Sequence, residues 1–273
     1  MTTISASVRF ALATVCALAL IGAYAFSVQA ATVEVVSGDT AAGENQPGWL
    51  FNRDASTATP FEFNTDAASI GSGSLYVLPI GANASDKFIG EYFPGVLMED
   101  LESFSYDFLI GSGGDASDEH HFYLNVYANF GESDDNKFYD CRYNIVPTTG
   151  STASFTTVTF DPTVAYPVTT RGGASASPYP CPAVPADMDL LSSGSNIRAF
   201  AINVGDTAAG DVGLDGYLDN VVIVTNDMRT FDFEPEPAQP LSKDDCKKGG
   251  YEAYGFKNQG QCIRFVETGK DSR

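Results

Sequence analysis

Histidine and tryptophan are nearly missing from this 273-residue sequence, which has the adjacent pair His120 and His121 and a single tryptophan, Trp49. Zinc centres draw on Cys and His at short spacings, so a chain with no Cys-x-x-Cys and one His-His dipeptide offers no zinc set. No Gly-x-Ser-x-Gly, His-Glu-x-x-His, Walker loop or Gly-x-Gly-x-x-Gly stands in a fitting context, which removes the common hydrolase, metalloprotease and nucleotide-binding signatures. Positive charge is scarce as well: 15 Lys and Arg face 35 Asp and Glu, for a net charge of −20. Such a chain repels nucleic acid and anionic lipid, but it tolerates calcium, a neutral glycan or a cationic partner. Long helical periodicity is absent from the body of the chain. Beyond residue 30 no stretch has about 18 consecutive apolar residues, so no later segment is expected to span a membrane.

The N-terminus holds the one long apolar run. Arg9 precedes Phe10 to Phe26, and Ser27-Val28-Gln29-Ala30 follows. That is the layout of a secretory signal peptide, residues 1–30, cleaved after Ala30; the alternative is an uncleaved N-terminal anchor. The expected product is secreted, extracellular or cell-surface, about 243 residues long. Without Arg9 it carries 14 basic against 35 acidic residues, a net charge of −21. Four of the five cysteines remain: Cys141, Cys181, Cys246 and Cys262. In an exported chain an even count points to two disulfides, with three possible pairings. Cys141–Cys181 and Cys246–Cys262 are favoured because each pair lies within one compositional region.

From residue 31 to 234 the chain reads as short strands separated by Gly, Asp, Asn and Ser. The expected strands are 32–37, 49–52, 60–64, 74–79, 87–93, 102–110, 121–129, 138–146, 154–160, 198–205, 217–225 and 229–234. Thr169 to Met188, rich in Pro, Ser and Gly, reads as a long surface loop tied down by Cys181. Alternation assigns faces: Phe122, Leu124, Val126 and Ala128 point one way, and His121, Tyr123, Asn125, Tyr127 and Asn129 the other. Likewise Phe104, Tyr106 and Phe108 oppose Ser103, Ser105 and Asp107, while Phe200, Ile202 and Val204 oppose Ala201 and Asn203. One apolar and one wet face predicts an all-β fold, an antiparallel β-sandwich.

Three groups of residues are candidates for chemistry. If the strands at 121–129 and 138–146 pair as a hairpin, Asp140, Arg142 and Asn144 join Tyr123, Asn125 and Tyr127 on the wet face. Rings stack on pyranose faces while amides, carboxylates and guanidinium bond hydroxyls, so this surface suits a polysaccharide or cell-surface glycan. Trp49 is either a further stacking platform or part of the core. Asp206, Asp211, Asp215 and Asp219 crowd the approach to a late strand and are the candidate ligands of a structural calcium, although the spacing is not that of an EF-hand. For catalysis, Asp107, Glu119 and Asp140 could supply a glycosidase carboxylate pair, and His121 with Arg142 a lyase. Asn83-Ala84-Ser85 fits a glycosylation sequon.

Glu234-Pro-Glu-Pro-Ala-Gln-Pro240 ends the sandwich, and residues 235–241 read as a stiff Pro-rich linker. Residues 242–273 form a small Cys-containing motif with two expected short helices. The first starts at Ser242, has Asp245 three residues on and ends at Gly249; the second covers Gln259–Thr268 with Gly269 behind it. Residues 244–270, DDCKKGGYEAYGFKNQGQCIRFVETGK, resemble a recurrent tail of secreted bacterial proteins: a Cys, Gly-Gly-Trp, an aromatic-Gly pair, then Asn-Gln-Gly-x-Cys. Cys246, Gly249, Gly250, Gly255, Phe256, Asn258, Gln259, Gly260 and Cys262 carry the likeness, with Tyr251 where Trp is usual. Residues 59–81 and 215–224 resemble the jelly-roll sandwich that such tails accompany, which is similar to carbohydrate-binding modules. The resemblance implies a jelly roll with a disulfide-pinned helical appendage in a secreted setting, and it transfers no catalytic residue to this chain. The expected function is non-catalytic glycan binding or adhesion, with a structural envelope role or a polysaccharide-degrading enzyme as alternatives.

Overall fold

The computed structural model describes residues 32–43, 46–52, 57–82, 86–111, 122–129, 138–170, 181–190, 196–205, 212–236 and 239–270. The leader, the sequon at Asn83, Glu119, His120, His121, Asp206 and Asp211 lie outside the described residues. The first half forms β1 (Thr32–Val36), β2 (Gly48–Phe51), β3 (Thr57–Ala58), β4 (Phe61–Asn64), β5 (Ser74–Val77), β6 (Asp86–Phe93) and β7 (Ser103–Ile110). The second half adds β8 (Tyr123–Asn129), β9 (Cys141–Ile145), β10 (Thr156–Phe160), β11 (Val168–Thr170), β12 (Asn196–Val204), β13 (Gly216–Val224) and β14 (Met228–Phe233).

These strands make a jelly-roll-like sandwich of two sheets. In the first, β10, β7 and β13 lie side by side; the start of β13 then pairs with β5, which carries β4, and its end with β14, which carries β1. The second runs β11-β9-β8-β12-β6-β2, with β3 against β6. Pairing is antiparallel except at β1–β14 and β3–β6, where the chain returns in the same direction.

The period-2 pattern fixes which side of each sheet is dry. Phe104, Tyr106 and Phe108 of β7 and Phe200, Ile202 and Val204 of β12 are all fully buried between the sheets. Phe104 stacks on Phe200, with centroids 4.0 Å apart and planes 4° from parallel. Trp49 is 0 % exposed and sits among Phe51, Tyr92, Phe231 and Phe233 at 5.1–5.8 Å between centroids. A ring enclosed in this way has no face for a sugar, so Trp49 is a core residue and its alternative as a platform is corrected. Each such ring pair adds about 0.5–1.5 kcal/mol beyond area burial.

Cys141 bonds Cys181, and Cys246 bonds Cys262. The first disulfide ties β9 to the segment entering the 3₁₀ turn at Pro185–Leu190. Within the expected loop after Thr169, Val168–Thr170 is a strand paired with β9. In the appendage, helix α1 spans Gln259–Thr268. Asn258 caps it by accepting the Gln261 N–H (2.9 Å), and Gly269 closes it at φ 66°. At the expected first helix the reciprocal cap forms, since Asp245 accepts from Ser242 N–H and Ser242 Oγ from Asp245 N–H. Yet the segment continues as turns and a 3₁₀ turn at Gly250–Tyr254. Gly249, at φ 87°, breaks the run before an α-helix is established. Among the described residues no helix is long and apolar enough to cross a membrane.

Candidate functional site

The outer face of the second sheet gathers most of the predicted binding residues. Leu124, Val126 and Ala128 turn inward and are fully buried, which leaves Tyr123, Asn125, Tyr127 and Asn129 on the outside of β8. The expected hairpin is present, with Asn125 opposite Asn144 and Tyr127 opposite Arg142. On the other flank β12 sets Asn203 against Tyr123 and Ala201 against Asn125, and β6 sets Glu91 against Ala201. A polar row of Asn144, Asn125 and Glu91 thus crosses the sheet, interrupted by the small Ala201.

This face is less open than alternation alone predicts. Asn125 is 6 % exposed, Glu91 2 % and Asn203 2 %, whereas Tyr123, Tyr127, Arg142 and Asn144 are half-buried. Phe138 to Asp140, expected inside a strand, precede β9 and pack over the face. Phe138 meets Tyr127 edge-on at 5.3 Å, and Tyr139 meets it at 4.9 Å. Burial pushes the Tyr127 phenol up to about 12; Arg142 opposes the shift while Glu91 and Tyr139 add to it. Asp140 itself is 2 % exposed, with its N–H bound to the Ala128 carbonyl.

Sequence reasoning missed the corner where β12 begins. Between Ile197 and Ala199 the pairing with β8 slips by one residue, a bulge that re-aims Arg198. The Arg198 guanidinium lies 5.8 Å from the Phe138 ring centre, and its Nε–H donates to the Phe138 carbonyl at 3.3 Å. Beside it is a cavity of about 230 Å³, walled by Phe93, Val96, Leu97 and Ile197 and by the polar Asn196 and Arg198. Asn196 pairs in register with Asn129. A bulge leaves no mark in hydropathy; it becomes visible only once the register is known.

Polar atoms without partners concentrate here. Asn125 Oδ1, Asn129 Oδ1, Asn196 Oδ1 and Arg142 Nε are buried and make no hydrogen bond. An unmade buried hydrogen bond costs about 1–3 kcal/mol, so four on one face call for a reason.

The carboxylates behave differently. Asp107 faces outward from the first sheet, holding Thr157 Oγ1 at 2.6 Å and Asn220 Nδ2 at 2.8 Å. Asp140 belongs to the second sheet, so these two make no glycosidase pair. Of the candidate calcium ligands, Asp215 accepts from the Tyr76 hydroxyl at 2.7 Å. Asp219, fully buried, accepts the N–H groups of Ser69, Ile70 and Phe233 at 2.8, 2.9 and 3.2 Å. Its burial raises the carboxyl, and these N–H groups oppose the rise. Asp215 and Asp219 are therefore engaged by separate donors, and among the described residues no three His, Cys, Asp or Glu side chains are grouped to hold a metal.

No family model and no curated protein matches the chain. Among solved structures it is similar to the family 11 carbohydrate-binding module of cellulosomal cellulase Lic26A-Cel5E of Clostridium thermocellum, at 12 % identity and TM-score 0.41. That likeness covers 70 % of this chain and 96 % of the module. It is also similar to the enzymatically active domain of bacteriophage CBA120 tailspike protein 4 (12 % identity, TM-score 0.34, 64 % of this chain and 19 % of that one). A third likeness is to the glycoside hydrolase domain of Endo-D from Streptococcus pneumoniae R6 (15 % identity, TM-score 0.30, 71 % and 23 %). Similarity at this level carries no argument about function.

Proposed function

We propose that the protein is a non-catalytic glycan-binding protein that seats sugar on the outer face of its second sheet. The observation that carries this reading is the set of four unpaired polar atoms on that face, beside the half-buried rings of Tyr123, Tyr127 and Phe138. Sugar hydroxyls can both donate and accept, so they can satisfy amide oxygens and a guanidinium together. Aromatic and aliphatic side chains around them suit the apolar faces of pyranose rings. The acidic body favours a neutral glycan over a polyanion, and two disulfides fit an oxidising, extracytoplasmic setting.

A glycan array probed with the mature protein tests this. Binding at millimolar to micromolar Kd is expected, lost in the double variant Tyr123→Ala, Asn144→Ala. A broad array without hits overturns the reading.

A second role in envelope attachment has one observation in its favour. Residues 241–273 hold Lys243, Lys247, Lys248, Lys257, Arg264, Lys270 and Arg273, nearly half of the 15 basic residues. Unchanged surface retention after deletion of 241–273 would overturn that role.

A further inference from the structure

The corner cavity has a chemical pattern narrower than that of the face around it. Phe93, Val96, Leu97 and Ile197 make it apolar on most sides. Its two polar residues differ in kind. Asn196 has an amide oxygen with no donor, so it lacks a hydrogen to accept. Arg198 can only donate, and of its five N–H groups the Nε–H is bound to the Phe138 carbonyl. A complementary ligand group therefore offers one donor, one acceptor and a compact apolar end. At about 230 Å³ the cavity is smaller than the roughly 300–1,000 Å³ of sites for drug-sized ligands, so it takes one substituent or one sugar unit, not a chain.

An acetamido group meets all three requirements. We propose that this cavity seats the acetamido group of an N-acetylhexosamine unit, so that the face selects glycans built from acetylated amino sugars. The inference rests on the glycan-binding reading of the face. A rotation of the Asn196 amide brings Oδ1 onto the ligand N–H, and the terminal N–H groups of Arg198 donate to the ligand carbonyl. The methyl lies against Val96 and Leu97. A hydroxyl in the same place supplies no methyl, and it leaves the apolar wall facing water. The bulge shapes this corner: it lets Ile197 and Phe200, three positions apart, both turn inward, with Arg198 as the extra residue between them at the cavity wall.

Chitohexaose and cellohexaose have the same length and linkage and differ in acetamido against hydroxyl at each unit. Calorimetric titration of the mature chain with both is expected to give chitohexaose a preference of about tenfold or more, within the range that pocket contacts supply. In saturation-transfer NMR the acetyl methyl should receive the strongest signal. Arg198→Met and Asn196→Ala should each cost chitohexaose far more affinity than they cost cellohexaose, so that most of the preference is lost. The NMR readout on the unaltered protein stands even if a variant fails to fold. Equal affinity for the two oligosaccharides, or saturation confined to ring protons, overturns the acetamido assignment and leaves the glycan-binding reading standing. Binding of other glycans but of neither hexasaccharide does the same. Absence of any glycan binding removes both.

Discussion

Asn129 and Asn196 stand opposite each other on β8 and β12, and each has a buried amide oxygen that no protein donor reaches. An amide with no partner is a liability to the folded state, because it loses its water and receives nothing in return. Replacing it with an apolar group of similar shape removes that liability. Asn196→Leu is therefore expected to leave the thermal midpoint unchanged or raise it, while weakening glycan binding. A clear drop in midpoint would show that Asn196 serves the fold instead.

Asp219 is the opposite case, a buried carboxylate with its acceptors filled. Asp219→Ala strands the N–H groups of Ser69, Ile70 and Phe233, all held by one side chain. Leaving several buried donors unpaired should cost about 3–5 kcal/mol in urea unfolding. A loss under about 1 kcal/mol would mean that water takes over these bonds, since surface substitutions fall in that range.

The contrast explains what could be read from the sequence. Alternation in residues 121–129 and 198–205 placed the core and put Arg142 and Asn144 on one face with Asn125 and Tyr127, because burial of one side fixes which side chains share the other; the register that sets Tyr127 opposite Arg142 came only with the structure. Composition separated the two disulfide regions. Asn196 and Arg198 stayed hidden because the β12 bulge depends on pairing with β8, a partner some 70 positions away in the chain. The aromatic cover over Tyr127 was hidden for a related reason: Phe138 and Tyr139 carry strand-forming side chains, and only tertiary packing turns them over the face. Trp49 was ambiguous from the start, since one tryptophan serves a core or a platform equally well.

Stability should depend on pH through Asp232. Burial, then the charges of Asp219 and Glu234, push its carboxyl up to about 6. Between the unfolded value near 3.9 and about 6 the folded state therefore binds more protons than the unfolded one. This contribution is fully present below pH ~3.9 and is lost as pH rises through about 6. Asp232→Asn should flatten that part of the stability–pH curve and raise stability at pH 7. An unaltered slope between pH 4 and 6 would assign the dependence to other carboxylates.

The C-terminal appendage should unfold separately when its disulfide is removed. Its buried cluster is only Cys246, Phe256 and Cys262, with Tyr251, Tyr254, Ile263, Phe265 and Val266 partly covered. A core of that size does not hold 30 residues in place without a covalent link. The Cys246–Cys262 bond spans 16 positions, worth about 3 kcal/mol in the chain-entropy model. In the double variant Cys246→Ser, Cys262→Ser, amide hydrogens of α1 should exchange at close to unfolded rates. Those of β7, β8 and β12 should keep their protection, because no residue of the appendage belongs to the core cluster they share. Loss of protection in the sandwich as well would mean that the appendage is a structural part of it, and the Pro-rich segment before it no true boundary.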